Sequence, residues 1–596
     1  MAWIYLWHPS GGGEEAAEAA RFEGVLREHI RDLRAVNDAP VGLQCARLGG
    51  LHVGQLAFEH GVTGYPAWCA AGERVIVFTG VCEDALGLSP GGAIENLWPV
   101  LTGRRPGAVD LSGRFGALAW DRRKAAGCLV TGATETMTLW LVRGPDGWAI
   151  GNRVRPLLAL TGRAARADRI GMAVLMAYGY LIGKRALFEG AERIESRTRI
   201  RIDAAGRLDP EEYISVGDYI APAETLATAE AMERVEAALC RRVARQVAHS
   251  SAPFLPLSGG WDSRCIAAAL HKAGCRIPAF TGGAPDSPDV RVGTDVAARL
   301  GFAHHAGGSG LHRTLESDRC VERAAAWSRV SEGMENIRHA FSLSGPFLEG
   351  RVDVRQGLHG LGGGIHRHSY GTWHRSGLKE RWTADGLAAR VAADCPAWIG
   401  YRNEVVDELH GLCRAMIDGG GGGGMPAATW LDLFYWQRRA LCWGMDMMSV
   451  QHALWWHWTP LLDRDLILAT LLWKERFKDP NALIQKVIGR MAPAVKDLPH
   501  AKQFREAKPA RVLDRLLTVV PDALLPRGAI DPRRRAVRET YRRLRPIWRE
   551  VLRREPGAGT DVVSRARLRA TAAYNPAAEL LWLAATGRLA LRDLPG

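Results

Sequence analysis

The sequence predicts two domains, a strand-rich α+β domain over residues 1–215 and an α/β domain with a parallel sheet over residues 225–596. A chain of 596 residues is longer than one hydrophobic core usually supports. In the first part, short apolar runs alternate with turns rich in Gly and Asp, a pattern typical of stacked antiparallel sheets. In the second part, strand, loop and helix repeat in the order of a parallel sheet.

The most informative segment is the loop at residues 258–263, with the sequence Ser-Gly-Gly-Trp-Asp-Ser. Residues 254–257 before it predict a buried strand, and residues 265–270 after it predict a helix. Glycines let the backbone approach an anion, and the positive end of the helix faces the same point. The segment therefore indicates a phosphate site, with an ordinary strand–turn–helix as the alternative. It lacks Gly-Lys-Ser/Thr, so it is not the loop of kinase-like NTPases.

Three later segments follow in a recognisable order. Residues 279–282 predict the next strand, residues 295–305 a helix that ends at a Gly, and residues 352–354 a further strand before a glycine-rich turn. This arrangement resembles the asparagine synthetase family, and the resemblance implies an adenine nucleotide α-hydrolase-like synthetase domain that splits ATP into AMP and pyrophosphate. It also implies a set of ATP-binding residues, namely Leu257, Ser258, Gly259, Gly260, Asp262, Ser263, Thr281 and Gly357. Asp262 is the expected Mg²⁺ ligand.

The C-terminal part extends the resemblance. Residues 459–463 resemble a conserved Pro-containing turn of the family, and residues 498–504 resemble the segment that carries its catalytic lysine. The resemblance implies that Lys502 stabilises negative charge during the reaction. Lys486 and Arg490 lie four residues apart on one helix face, where they would hold phosphates or pair with acids.

The N-terminal part resembles the family's glutaminase domain, a sandwich of the Ntn type, on residues 110–121, 147–152 and 187–194. Amidotransferases of the family begin Met-Cys, and the thiol attacks glutamine. This chain begins with Met1 and Ala2, and Ala2 has no reactive atom. We therefore expect a degenerate glutaminase-like domain without that activity. Cys45 and Cys69 are expected to be buried apolar residues.

The glycine-rich turn departs from the family pattern. Residues 356–366 contain no carboxylate, whereas the family has acids there. We expect His359 to take a catalytic, hydrogen-bonding or metal role, with His366 as the second candidate and a structural role as the alternative. Glu332 and Asp289 are other sources of an acid. The missing acids also leave room for a protein that binds ATP or peptide without catalysis.

Two branches of the family have lost glutaminase chemistry, the β-lactam synthetases and the lasso peptide cyclases. The variants Trp261 and Arg264 around the loop resemble the cyclases more closely. That resemblance implies adenylation of an Asp or Glu side chain of a ribosomal precursor core peptide, and macrolactam formation with its N-terminal amine. Implied partners are a leader peptidase and a leader-peptide recognition protein. A β-lactam-type ligase for small molecules and a non-catalytic binding partner remain the alternatives.

Composition narrows the remaining classes of partner. The net charge of +14 is carried by dispersed arginines, and no nucleic-acid motif accompanies it. The densest basic run, residues 533–554, predicts an amphipathic helix with a solvated face, or a docking surface for an acidic partner. No run reaches the roughly 18 to 20 apolar residues of a membrane span. We therefore expect neither a nucleic-acid nor a membrane partner.

The remaining features are the cysteines, a run of glycines and a cluster of tryptophans. Eleven scattered cysteines without a Cys-x-x-Cys pair, and no secretory signal, indicate a cytoplasmic protein. The six glycines at 419–424 predict a connector. Five tryptophans of one region are expected to be mainly core, with a peptide pocket as the alternative, namely Trp436, Trp443, Trp455, Trp456 and Trp458.

Overall fold

The computed structural model describes most of residues 2–504. Its longer gaps are 218–225, 308–322, 336–355, 369–384, 390–401, 420–426 and 474–480, and shorter gaps of one to three residues occur elsewhere. Residues 505–596 lie outside the described part. Three predicted features fall outside it as well, namely the strand at 352–354, most of the glycine run at 419–424 and the basic helix at 533–554.

The N-terminal part contains two six-stranded antiparallel sheets. The first has the order β10-β8-β9-β1-β3-β2 and the second β12-β11-β7-β6-β5-β4. Their strands are β1 (Ala2–His8), β2 (Val41–Leu48), β3 (Leu51–Phe58), β4 (Trp68–Ala71), β5 (Arg74–Gly80), β6 (Phe115–Asp121), β7 (Ala126–Thr131), β8 (Leu139–Gly144), β9 (Gly147–Gly151), β10 (Ala191–Ile194), β11 (Thr198–Ile202) and β12 (Leu208–Glu212). Helices α1 (Glu15–Val36), α2 (Pro90–Leu101), α3 (Val154–Leu160) and α4 (Arg169–Tyr178) flank them.

The two sheets share one core, because side chains of both belong to the same buried cluster. Ile4 and Val53 come from the first sheet, and Val77, Leu118 and Leu129 come from the second. Alternating side chains of each strand thus meet between the layers, as in a sandwich. The predicted stacking of antiparallel sheets is therefore present.

Strand β1, which begins at Ala2, lies inside this sandwich. Ala2 is fully buried and pairs with Ala57 in the neighbouring strand, and its carbonyl accepts a hydrogen bond of 3.1 Å from Thr79. No side chain at this position can attack a substrate.

Cys69 is buried as expected, but Cys45 is exposed on β2, so the expectation of burial is wrong for Cys45.

The second part is built on a five-stranded parallel sheet with the order β15-β14-β13-β16-β17. Its strands are β13 (Pro253–Pro256), β14 (Ala279–Gly282), β15 (His304–Gly307), β16 (Gln356–Leu358) and β17 (Trp456–Trp458). The helices are α5 (Thr228–Ala248), α6 (Trp261–Lys272), α7 (Pro288–Leu300), α8 (Gly363–His366), α9 (Arg402–Gly419), α10 (Ala427–Phe434), α11 (Met445–Gln451), α12 (Arg464–Leu472) and α13 (Ala482–Met491). Residues Tyr435–Gly444 form a π-helix between α10 and α11.

The helix predicted at 295–305 differs in its start. It begins at Pro288 behind the Ser287 cap and ends at Gly301, whose φ of 73° suits a glycine at a helix end. His304 and His305 belong to β15 instead of the helix. The tryptophans predicted as core are largely so, since Trp436, Trp455, Trp456 and Trp458 are buried. No helix among the described residues has both the length and the apolar character needed to cross a membrane.

A buried charge network joins the two parts. Arg242 of α5 forms ion pairs with Glu83, at 3.0 Å, and with Glu135, and all three side chains are at most 4 % exposed. Gln246 donates to the same Glu83 carboxylate, and Thr459 donates to Glu135. Because a buried charge is costly without its partner, this network ties the sandwich to the second part of the chain.

Arg242→Met is expected to lower the free energy of unfolding by about 3–5 kcal/mol, because it leaves two buried carboxylates without their cation. The neighbouring Arg241 provides the control, since it pairs with Asp465 at the surface. Arg241→Met should change stability by about 1 kcal/mol or less. Denaturant unfolding measures both, and equal losses would contradict a structural role for the network.

Candidate functional site

The loop at residues 258–263, called the pyrophosphate loop here after its predicted ligand, is shaped by its own serines. Ser258 donates its backbone N–H to the Ser263 hydroxyl at 3.0 Å, and Ser263 donates its hydroxyl to the Ser258 carbonyl at 3.1 Å. These bonds close the loop onto the first turn of α6. Gly260 caps that helix in an extended conformation, without a side-chain cap. The N–H groups of the first turn of a helix have no acceptor within the helix, so the start of α6 is oriented to bind an anion.

Asp289 is the acidic residue that contacts this loop. Its Oδ1 accepts a 3.1 Å hydrogen bond from the Gly259 amide, and it lies in the first turn of α7. Glu332, the other acid considered from the sequence, lies elsewhere. Its carboxylate accepts a 2.7 Å bond from the Arg155 amide, and burial raises its pKa to about 7. Of these two candidate acids, the structure brings only Asp289 to the loop.

Two residues with predicted roles in nucleotide binding support the loop from behind. Leu257 is buried and accepts a 2.5 Å bond from the Thr281 hydroxyl through its carbonyl. The same hydroxyl lies 2.9 Å from His304, so the protein itself satisfies it. A Cβ on Gly293 would come within 2.5 Å of that oxygen, which explains the glycine in α7. The Thr281 side chain thus braces the edge of the sheet.

The glycine-rich turn packs directly on Asp262. A Cβ added to Gly363 would lie 2.2 Å from the Asp262 Cγ, and one on Gly360 would lie 2.9 Å from its Cβ. Gly357 has a different position, inside β16, where a Cβ would press on His457 and Phe254 at 3.1 Å. The turn reaches the pyrophosphate loop, but Gly357 itself lies within the sheet.

Asp262 meets an arginine that follows the turn. Arg367 Nε lies 2.7 Å from Asp262 Oδ1, and Arg367 Nη2 donates to Oδ2 at 3.0 Å. Magnesium needs a carboxylate with an accessible oxygen as well as phosphate oxygens. Arg367 contacts both Asp262 oxygens, with a hydrogen bond to Oδ2 and an ion pair at Oδ1, and the turn supplies no second acid. In this arrangement the residues do not fit Mg²⁺ at Asp262. Among the described residues, no group of three His, Cys, Asp or Glu side chains is placed to hold a metal.

The two histidines of the turn have protein partners. The His359 Nδ1 accepts from the Leu361 amide at 3.1 Å, and its ring lies beside His457. The His366 Nε2 lies 2.8 Å from the Leu461 carbonyl, so it carries the proton, and Nδ1 lies 2.6 Å from the Thr470 hydroxyl. Burial lowers the pKa of each histidine to about 4. Both rings are thus neutral at pH 7, and His366 anchors the turn to α12.

The segment predicted to carry the catalytic lysine docks on the loop. Arg264, fully buried in α6, donates to the carbonyls of Leu498, at 2.6 Å, and Pro499, at 2.8 Å. The Ala501 amide donates to the Gly259 carbonyl at 3.0 Å. Lys502 follows in a short 3₁₀ helix at Ala501–Phe504. Its backbone therefore lies beside the loop, while its side chain is outside the described part.

Lys486 and Arg490 do not join this group. Arg490 Nε pairs at 2.9 Å with Glu236, which Lys272 also approaches at 3.6 Å. Lys272 is the last residue of α6, so this cluster lies at the end of the helix opposite the loop. The Lys486 ammonium lies 5.8 Å from the ring centroid of Trp473. Pairing with an acid, the alternative considered for Arg490, is what the structure shows.

Three important residues were not assigned these roles from the sequence. Arg264 stood out only as a variant next to the loop, and its clamp on residues 498–499 depends on tertiary structure. Asp289 was a general candidate for an acid. Arg367 follows a turn that lacks acids, and its pairing with Asp262 also depends on tertiary structure.

A separate cavity lies between the two parts of the chain. It has a volume of about 340 Å³ and lies between β10–β12 and the π-helix, lined among others by Arg193, Arg197, Gln437 and Arg438. Arg193 and Arg438 are held there by ion pairs with Asp446 and Glu195. The pyrophosphate loop is not part of this cavity.

Gly259→Ala is expected to displace residues 498–504 from the loop. The new Cβ would lie 2.4 Å from the Ala501 Cβ. Overpacking of this kind typically destabilises a fold by about 1–3 kcal/mol. Calorimetry should show weaker ATP binding. The control is Gly24→Ala in α1, where a Cβ meets nothing within 4 Å and binding should stay at the wild-type level. Equal binding by both variants would contradict the docking.

Acidification should destabilise the fold through His366. Its folded pKa of about 4 lies below the ordinary value of 6.5, so the unfolded chain binds more protons between these values. The stabilising difference is present above pH 6.5 and is lost as the pH falls towards 4. His366→Gln should therefore lose about 2 kcal/mol less unfolding free energy between pH 7 and pH 5. Denaturant unfolding of both proteins at pH 7 and pH 5 measures the difference. Equal losses of unfolding free energy in the wild type and the variant would contradict this assignment.

Comparison with known proteins fits this geometry. Residues 234–490 match the family model described as asparagine synthase, a range that holds the parallel sheet, the loop and the glycine-rich turn. No curated protein matches the chain. A domain of this kind implies an ATP-dependent ligase that forms an amide bond, and the family uses ATP, usually with Mg²⁺. Residues 234–490 form a domain of the asparagine synthase family.

Proposed function

We propose that the protein is an ATP-dependent macrolactam synthetase that cyclises a ribosomal peptide, as lasso peptide cyclases do. The observation that carries the proposal is the combination of the loop at 258–263 with a strand β1 in which Ala2, a residue without a nucleophilic atom, is buried. Ala2 is fully buried in a paired strand, so this position cannot release ammonia from glutamine. The amine must then come from another molecule or from the activated molecule itself, and the proposed intramolecular amide bond uses the second source.

The loop suits cleavage between the α- and β-phosphates of ATP. Backbone amides at the start of α6 and the Arg367 guanidinium face the same region and attract phosphate oxygens. In the first step, an oxygen of an Asp or Glu side chain of the peptide attacks the α-phosphorus. The bond to the β-phosphate oxygen breaks, and pyrophosphate leaves. The product is an acyl-adenylate.

The second step forms the ring. The N-terminal amine of the same peptide attacks the acyl carbon and loses a proton. The bond between the acyl carbon and the phosphate oxygen breaks, and AMP leaves with its electron pair. Negative charge develops on the acyl oxygen and on the leaving phosphate. Lys502, on the segment that Arg264 clamps against the loop, is the proposed source of compensating positive charge. Holding the two ends of one peptide together makes this attack effectively unimolecular.

Two other assignments remain as competing outcomes. A ligase of the β-lactam type would use the same two steps on a small amino acid derivative. A non-catalytic partner would bind nucleotide or peptide only, and the engagement of Asp262 by Arg367 is the observation in its favour. A leader peptidase and a leader-recognition protein belong to the cyclase proposal as partners, in a reaction that follows leader removal.

The decisive experiment incubates the purified protein with ATP, Mg²⁺ and linear peptides that carry a free N-terminal amine and one internal Asp or Glu. We expect a product lighter by one water, with AMP and pyrophosphate in equal amounts, and no ammonia from added glutamine. ADP and phosphate as the only nucleotide products would exclude this mechanism. Amide formation with small amino acid derivatives alone would favour the β-lactam type.

Lys502→Ala is expected to slow product formation by about 10²–10³-fold, or roughly 3–4 kcal/mol of barrier, with little change in ATP affinity. Arg should rescue poorly, because its planar fork does not replace a compact ammonium. The matched control is Lys496→Ala, since Lys496 is exposed on the same stretch of chain. Mass spectrometry of the product and calorimetry of ATP separate the two effects. Normal cyclisation by the Lys502 variant would remove this residue from the reaction.

A further inference from the structure

The pair between Asp262 and Arg367 is partly open to solvent. The two side chains are 26 % and 25 % exposed, so a ligand at the loop can reach the guanidinium. Two contacts of 2.7 and 3.0 Å hold the plane of the guanidinium against the carboxylate. The hydrogen bond from Nη2 and the ion pair at Nε together limit the directions in which the remaining N–H groups can point.

The fold places Arg367 there through several independent contacts. Its amide donates to the Gly363 carbonyl at 3.1 Å, and its carbonyl accepts from the Asn481 amide at 3.3 Å. The preceding His366 is fixed on both ring nitrogens. Gly363 lacks the Cβ that would otherwise strike Asp262. The turn is thus built so that Asp262 and Arg367 meet.

The charges explain why a cation is needed at this position. Triphosphate brings several negative charges to a loop that already holds Asp262 and Asp289. The turn at residues 356–366 has no acid that could recruit metal charge. Arg367 is a permanent cation, and its fork geometry suits phosphate as well as carboxylate. The guanidinium can bind a phosphate oxygen either while it keeps its ion pair with Asp262 or after that pair opens.

We propose that Arg367 is a phosphate-binding residue that supplies, at the pyrophosphate loop, the positive charge expected of a metal ion at Asp262. Asp262 then acts as a positioning residue that orients the guanidinium. This inference rests on the proposed function, because it requires ATP as the ligand. Its consequence is that ATP binding depends only weakly on Mg²⁺.

Calorimetry of ATP binding, in EDTA and in Mg²⁺, tests this inference. We expect wild-type affinities that differ by less than about threefold between the two conditions. Arg367→Gln should bind ATP about 10–100-fold more weakly in EDTA, the loss typical of a charged hydrogen-bonding partner. Arg367→Lys should recover part of the affinity, and Asp262→Asn should weaken it less than Arg367→Gln does. Arg490→Gln, far from the loop, is the control.

The outcomes separate this inference from the proposed function. The role of Arg367 is overturned if the wild type binds ATP tightly only with Mg²⁺ and Arg367→Gln binds it equally well or better. The proposed ATP-dependent function would then be unaffected. Absence of ATP binding by the wild type in both conditions overturns both. If Arg367→Gln fails to fold, as judged by circular dichroism, Arg367→Lys and the wild-type metal comparison decide the question.

Discussion

The structure of the site depends on close backbone packing at the start of α6. The loop, the glycine-rich turn and the segment at residues 498–504 come from distant parts of the sequence and meet there. Gly259 and Gly363 sit where a Cβ would overlap Ala501 or Asp262, so both contacts require glycine. Arg264 then fastens the third segment through two carbonyls. Loss of the contacts at Gly259 or Arg264 would separate the loop from the segment that carries the proposed catalytic lysine.

The N-terminal sandwich contributes to this arrangement through buried contacts. Its Glu83 and Glu135 hold Arg242, and α5, which carries Arg242, packs against the helix that begins at the loop. One hydrophobic cluster extends from Trp3 through Leu239 and Leu255 to Ile266. The sandwich thus provides a packing surface for the helices that surround the parallel sheet.

Much of the fold could be predicted because its signals are local. The Ser-Gly-Gly loop between a strand and a helix, and Gly301 at the end of α7, are set by neighbours in sequence. The start of α7 at Pro288 was missed, since its Ser287 cap lies outside the apolar pattern. The site was harder: the surface pairing of Arg490 and the meeting of Arg367 with Asp262 depend on side chains distant in sequence. Helical spacing alone placed Lys486 and Arg490 on one face, without fixing what that face contacts.

The central claim is that a substrate carboxylate is activated as an acyl-adenylate at this loop. A peptide labelled with ¹⁸O in the side-chain carboxyl group tests it directly, because one carboxylate oxygen remains on the α-phosphorus when AMP leaves. Mass spectrometry of the AMP formed during cyclisation should show one ¹⁸O atom in its phosphate. Unlabelled AMP, or label in inorganic phosphate, would contradict the account.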